Sequence, residues 1–143
     1  MKIYVAQSLR NEQQPEVVRI LREQGHEVYD FRNPDHGFHW SEIDEHWSSW
    51  SVDQRIAVVT HPLAESEFGK DFLAMQWADA CVLVLPCGRS SPFEAGYFVG
   101  ADKPLLILVS GIETELMYKL ADSVHSGMGT LLVRLQDLED ATN

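Results

Sequence analysis

Two carboxylates, Asp71 and Glu94, stand where they could share one crevice. Glu94 lies in "SSPFEAGYFVG" (90–100), just after an apolar run, and Asp71 lies near the start of the predicted helix before that run. Such a pair suits cleavage at an anomeric carbon: one group attacks the sugar or stabilises its positive charge, and the other handles the leaving group. A nucleophilic carboxylate also needs an orienting donor, and the hydroxyl of Tyr4 is the candidate.

The residues around Glu94 also have an explanation without catalysis. Ser91-Pro92-Phe93-Glu94 fits the capping box S-x-x-E, with Ser91 as the N-cap, Pro92 at the first helical position and Glu94 at the third. A helix cap and a catalytic carboxylate therefore both remain open for Glu94.

Polar loops follow two of the predicted strands. "QSLRN" (7–11) and "CGRSS" (87–91) supply hydroxyl and guanidinium donors, and the exposed amides of the helix that begins at Pro92 favour an anion. Neither GxGxxG nor GxxxxGK[ST] occurs, so the usual loops for dinucleotides and nucleoside triphosphates are missing. The candidate substrate-binding residues in these loops are Gln7, Ser8, Arg10, Gly88, Arg89, Ser90 and Ser91.

Other reactive side chains carry weaker signals. Four histidines lie near acidic residues but without HExxH or paired CxxC spacing, so we expect no metal; they are His36, His39, His46 and His61. Cys87 follows an apolar strand, but nothing marks a partner histidine for it. The Trp-rich loop 36–50 is either a flap that closes on substrate or a stacking surface for a base, with Trp40 and Trp47 as its candidate contacts.

Short apolar strands alternate with amphipathic helices along the chain. Strands are predicted at 2–6, 26–31, 80–86, 103–109 and 130–135. Helices are predicted at 14–25, 52–60, about 66–78, from 92 onward and near 113–121. This alternation predicts a single α/β domain over 1–143, a doubly wound five-stranded parallel sheet in a flavodoxin- or Rossmann-like three-layer sandwich.

This architecture sorts the acidic residues by sheet edge, because ligands bind beyond the carboxyl ends of the strands. Asp79 starts a strand and so stands at the opposite edge, where it is structural. Asp71 and Glu94 both fall near the carboxyl edge.

The amino-acid composition limits the kinds of partner that we expect for this chain. The formal net charge is -11, which argues against a nucleic-acid polymer or an anionic membrane but allows one small phosphorylated ligand. The two cysteines form no disulfide framework, so we expect a reduced, cytoplasmic setting. No segment approaches membrane-spanning length.

Three separated stretches, in this order, resemble the nucleoside 2-deoxyribosyltransferase superfamily, including its 2′-deoxynucleoside 5′-phosphate N-hydrolase branch. They are "IYVAQSLR", "GKDFLAMQWAD" and "SSPFEAGYFVGADKPLLIL". The resemblance implies that Glu94 is the nucleophile, Asp71 the acid–base residue and Tyr4 the group that holds Glu94, with Gln7, Ser8 and Arg10 in the substrate loop. It also implies a small nucleoside or nucleotide as substrate, no cofactor and a homo-oligomer.

The chain departs from the family pattern at three places. Gln7 stands where relatives usually carry a glycine, and "CGRSSP" stands where they have a looser Gly/Ser loop. The Trp-rich segment has no counterpart in the better-known transferases. The S-x-R sequence after the first strand is closer to the hydrolases, which favours a 5′-monophosphate as substrate and water as acceptor. The alternative from another class is a non-catalytic nucleotide-binding or sensor domain of the same fold.

Overall fold

The computed structural model describes residues 1–32, 37–111 and 114–143, so His36 of the histidine group lies outside the described residues. The chain forms two compact units. The first contains Met1–Asp30 and Trp77–Asn143, and the second contains Phe31–Gln76.

The first unit is built on a five-stranded parallel sheet. Its strands are β1 (Lys2–Ala6), β2 (Glu27–Tyr29), β3 (Ala80–Val84), β4 (Leu105–Leu108) and β5 (Ser123–His125). Their spatial order is β2-β1-β3-β4-β5, the order of flavodoxin-like sheets. The predicted fold class is therefore confirmed.

Three helices cover the two faces of this sheet. They are α1 (Gln14–Glu23), α4 (Ser90–Gly100) and α5 (Met128–Thr142). Helices α1 and α5 bury leucines and valines in one core with Ile3 and Val5 of β1. On the opposite face, Phe98 of α4 contacts the ring of Tyr4, which alternates with those two residues along β1. Side chains of alternating direction on β1 therefore anchor both helix layers.

The last predicted strand was wrong. Residues 130–135 belong to α5, and the fifth strand is the short β5. Leu131 and Leu135 are buried while Val133 between them is 63% exposed, a helical spacing that the run "TLLVRL" conceals. The acidic residues after Leu135 lie in the later turns of α5, and the helix predicted near 113–121 is the 3-10 helix Leu116–Leu120.

Asp79 forms hydrogen bonds at the amino edge of the sheet. The Lys2 amide donates to its Oδ2 at 2.8 Å, and the Asp79 amide donates to the Lys2 carbonyl at 2.8 Å. This reciprocal pair joins the start of β1 to the residue before β3. Asp79 therefore has the structural role that its position predicted.

The second unit holds α2 (Val52–Ala57) and α3 (Pro62–Trp77), the latter ending at the border of the first unit. The Trp-rich segment, predicted as a long loop, contains the 3-10 turns Trp40–Glu42 and Trp47–Ser49. Trp50 donates its indole N–H to Asp44 at 2.5 Å, and its ring lies 6.0 Å from that of Trp40. Local aromatic packing thus gives this segment structure of its own.

No described helix is long and apolar enough to cross a membrane.

Substitution of Val133 separates the helix from the predicted strand. Ala has the higher helix propensity and Val the higher strand propensity, so Val133→Ala at this exposed position of α5 should leave the melting temperature unchanged or slightly raised. Val133→Pro should lower the free energy of unfolding by about 3 kcal/mol or more, because proline breaks a helix interior. Thermal and urea unfolding measure both. A clear loss of stability in Val133→Ala would favour the strand.

Candidate active site

The candidate site lies where β1 and β3 end side by side. These strands pair in parallel from Ile3 with Ala80 to Ala6 with Leu83, so both carboxyl ends reach the same edge. From there the chain continues through α1 to β2 on one side, and through α4 to β4 on the other. Such a point of diverging connections is where open α/β sheets bind ligands.

Asn11 ties together the two loops that leave this edge. Its side-chain amide donates to the carbonyls of Pro86, at 3.0 Å, and Val84, at 3.4 Å. Its Oδ1 accepts from the Gln13 amide at 2.9 Å, and the residue is 5% exposed. Asn11 is not among the predicted site residues, although an Asn just before a helix commonly forms such a turn. The Leu85–Pro86 peptide bond next to this contact is cis.

The helix that carries Glu94 does not begin with the predicted capping box. Helix α4 starts at Ser90, its N-cap Arg89 makes no side-chain capping bond, and Ser91 lies within the helix, 2% exposed. Pro92 fits the first turn because the early N–H groups of a helix have no intrahelical partner. Glu94 is therefore the fifth helical residue and not the N3 residue of the predicted capping box.

The charge of Glu94 acts on the two thiols of β3 and its following loop. Burial raises the pKa of Cys81 and of Cys87, and the negative charge of Glu94 raises both further. The half-buried Glu94 carboxylate is thus close enough to β3 and its following loop to affect both thiols. Because a raised pKa keeps Cys87 a thiol at neutral pH, it is poorly suited to act as a nucleophile.

Tyr4 lies on the face of the sheet that is covered by α4, the helix that carries Glu94. It is 1% exposed, its ring stacks on Tyr29 at 5.5 Å between centroids, and it contacts Phe98 at 5.7 Å. Phe98 is four residues after Glu94 and so shares its helix face. The hydrogen bond from the Tyr4 hydroxyl to Glu94 stays a prediction.

The polar loop residues differ in exposure. Ser8 is half-buried and forms a turn: its hydroxyl accepts from the Arg10 amide at 3.2 Å, and its carbonyl accepts from the Asn11 amide at 3.0 Å. Arg10 and Arg89 are exposed and form no ion pair with any carboxylate in residues 1–32, 37–111 and 114–143. Gly88 and Ser90 are also exposed.

Gln7, the first residue after β1, is 6% exposed. Neither its Oε1 nor its Nε2 has a hydrogen-bond partner in the described part of the chain. A buried amide without partners at the mouth of a crevice is the most unusual polar feature of this edge.

The other predicted site residues belong to the second unit. Asp71 is half-buried on α3, and its negative charge helps to raise the pKa of Lys70, which Glu67 raises most. Trp40 packs edge-on against Phe38 at 4.9 Å, and Trp47 begins the second 3-10 turn. The meeting of Asp71, Trp40 and Trp47 with Glu94 stays a prediction.

Among the described residues, no group of three His, Cys, Asp or Glu side chains could hold a metal ion.

The structure is similar to that of a known enzyme. It matches a 2-deoxyribosyltransferase from the psychrotolerant bacterium Bacillus psychrosaccharolyticus with a TM-score of 0.66, over 92% of this chain and 90% of that one. The two sequences are 19% identical, so the likeness establishes a shared fold. No protein-family model and no curated protein sequence matches the chain.

The reactivity of Cys87 reports on the position of Glu94 without any assay of activity. Removing the negative charge in Glu94→Gln should lower the pKa of Cys87, although burial keeps it above the ordinary value. Because the thiolate is the reactive form, alkylation by iodoacetamide at pH 8 should be faster in the variant. Mass spectrometry of the Cys87 peptide measures the rate, and Glu16→Gln on α1 is the control. Equal rates in wild type and Glu94→Gln would place the carboxylate away from Cys87.

Proposed function

We propose that this chain is an enzyme of the nucleoside 2-deoxyribosyltransferase superfamily that cleaves the N-glycosidic bond of a nucleoside 5′-monophosphate. The observation that carries the proposal is the position of Glu94. It is a half-buried carboxylate at the fifth residue of α4, and its negative charge raises the pKa of Cys81 in β3 and of Cys87 in the loop after β3. The fold shared with a 2-deoxyribosyltransferase supports the same chemistry.

The reaction proceeds in two displacements. A carboxylate oxygen of Glu94 bonds to C1′, and the C1′–N bond breaks with its electron pair leaving on the base. Asp71 supplies the proton that the base takes up. A water molecule then gives a proton to the Asp71 carboxylate and attacks C1′, which frees Glu94 and releases the sugar phosphate. No metal or organic cofactor is required for either step.

Tyr4 would orient the nucleophile. Its ring is fixed between Tyr29 and Phe98, so its hydroxyl has little freedom. A donor held in this way keeps the Glu94 carboxylate aimed and ionised without the entropic cost of ordering a flexible side chain at each turnover.

The choice of a monophosphate rests on local positive charge. Arg10 follows β1 and Arg89 precedes α4, and both are exposed and free of ion pairs within the described residues. The first amides of α4 add donors that favour an anion. In a chain of net charge -11, these groups have a clear use if the substrate carries a phosphate, and none toward a neutral nucleoside.

Loss of the proposed nucleophile should abolish turnover and leave the fold intact. Glu94→Gln preserves size and polarity, so the melting temperature should change little, whereas kcat/KM should fall by roughly a thousandfold or more. Release of free base from a panel of deoxynucleoside monophosphates, followed by chromatography, measures the rate. Glu16→Gln, at an exposed position of α1, is the matched control and should behave as wild type. Near-wild-type rates in Glu94→Gln would refute the mechanism.

The phosphate assignment is tested with paired substrates. Arg10→Ala and Arg89→Ala should each weaken binding of the monophosphate by roughly 1.5–3 kcal/mol, the value of a charge-assisted hydrogen bond, with little effect on the matching nucleoside. Titration calorimetry on a Glu94→Gln background measures binding without turnover. Arg19→Ala, whose guanidinium pairs with Glu16 and Glu23, is the control.

A different result would favour the transferase. If wild type uses nucleoside and monophosphate equally, and exchange of bases outruns hydrolysis, the phosphate and water assignments both fail while cleavage by Glu94 stands.

A further inference from the structure

The amide of Gln7 is buried without a partner. The side chain is 6% exposed, and both of its polar atoms lack hydrogen bonds in the described part of the chain. An unsatisfied buried polar group costs about 1–3 kcal/mol, so a fold keeps one where something other than stability requires it.

Other buried polar side chains in the described residues form hydrogen bonds, as is usual in proteins. Asn11 uses both its donor and its acceptor, and Gln14 donates from Nε2 to Asp30 at 2.8 Å, which leaves only its Oε1 unpaired. His125 also has a partner at each ring nitrogen. Within residues 1–32, 37–111 and 114–143, Gln7 is the buried side chain whose whole amide lacks partners.

The place of Gln7 in the sheet points to a ligand. It follows β1 directly, three residues after Tyr4, at the point where the connections of β1 and β3 diverge. The link from Asn11 to Pro86 holds the two flanking loops together just beyond it. A ligand bound between these loops, at the carboxyl ends of β1 and β3, therefore lies near the residue that follows β1.

The chemistry of the missing partner follows from the amide. The Nε2 atom donates and the Oε1 atom accepts, so an edge that offers an acceptor next to a donor gives both atoms a partner. Nucleobases with exocyclic amino or carbonyl groups have such edges, and glutamine pairs with adenine in this bidentate way. A single sugar hydroxyl would satisfy the two atoms less completely.

We propose that Gln7 is the base-recognising residue of this site, pairing both amide atoms with the edge of the nucleobase. The inference rests on the proposed function. Because the amide atoms are enclosed in the free protein, the groups that cover Gln7 move aside as the base binds. The amide gains its hydrogen bonds only when a base with a matching edge binds. The site therefore selects strongly against bases that lack this edge.

The test uses Gln7→Met, which keeps the length of the side chain and removes the amide. Its substrates are the 2′-deoxynucleoside 5′-monophosphates of adenine, guanine, cytosine, thymine and unsubstituted purine, which has no exocyclic group. In wild type, the best of the four natural bases should exceed unsubstituted purine in kcat/KM by roughly ten- to a hundredfold. In Gln7→Met that ratio should collapse to near one.

The melting temperature gives a second readout. Gln7→Met removes a buried unpaired amide, so it should be as stable as wild type or more stable. The control Gln14→Met loses the bond to Asp30, and should be less stable while keeping the wild-type base preference. If Gln7→Met keeps that preference, or loses activity equally on all five nucleotides, the recognition role is wrong.

Failure of the proposed function would be distinguishable. If wild type cleaves none of the five nucleotides, the proposed reaction is wrong. The same five are then compared by the shift in melting temperature that each induces at millimolar concentration. A base-dependent shift that Gln7→Met abolishes retains the inference, and the absence of any shift in wild type overturns it together with the proposed function.

Discussion

β1 and β3 are neighbours in the sheet although the whole of β2 and the second unit lie between them in the chain. Their pairing, from Ile3 with Ala80 to Ala6 with Leu83, sets the position of every candidate residue in the first unit. It brings Gln7 and the loop of Arg10 beside the loop of Arg89 and the start of α4. The link from Asn11 to Pro86 is possible because of this register, and it fixes the two loops on each other.

The parts of this arrangement that sequence could predict are the ones with strong apolar patterns. β1, β3 and β4 are continuous apolar runs buried on both faces, which is typical of central parallel strands, and α1 shows a clear helical stripe. From their order, the carboxyl edge and the structural role of Asp79 followed without any structure. Glu94 was placed at that edge for the same reason.

The errors came where local pattern and tertiary context disagree. β5 is three residues long at the edge of the sheet, so "SVH" carries no apolar pattern, whereas the apolar "TLLVRL" lies in α5. The S-x-x-E sequence at Ser91 suggested a cap, but α4 begins at Ser90 and Ser91 is buried within the helix. Asn11 and the unpaired amide of Gln7 depend on contacts between loops far apart in sequence, which no local pattern encodes.

The distribution of charge decides how an acidic protein could still hold a phosphate. Exposed charges interact over roughly 8 Å at physiological ionic strength, so most of the net charge of -11 is screened from any one site. Donors in direct contact with a ligand are screened far less, and the first amides of α4 are fixed by the helix itself. Arg10 and Arg89 form no ion pair within the described residues, so both guanidinium groups can bind an anion. Long-range repulsion would slow the approach of nucleotides, while short-range contacts would set affinity, a balance that favours a small anionic ligand over any extended polyanion.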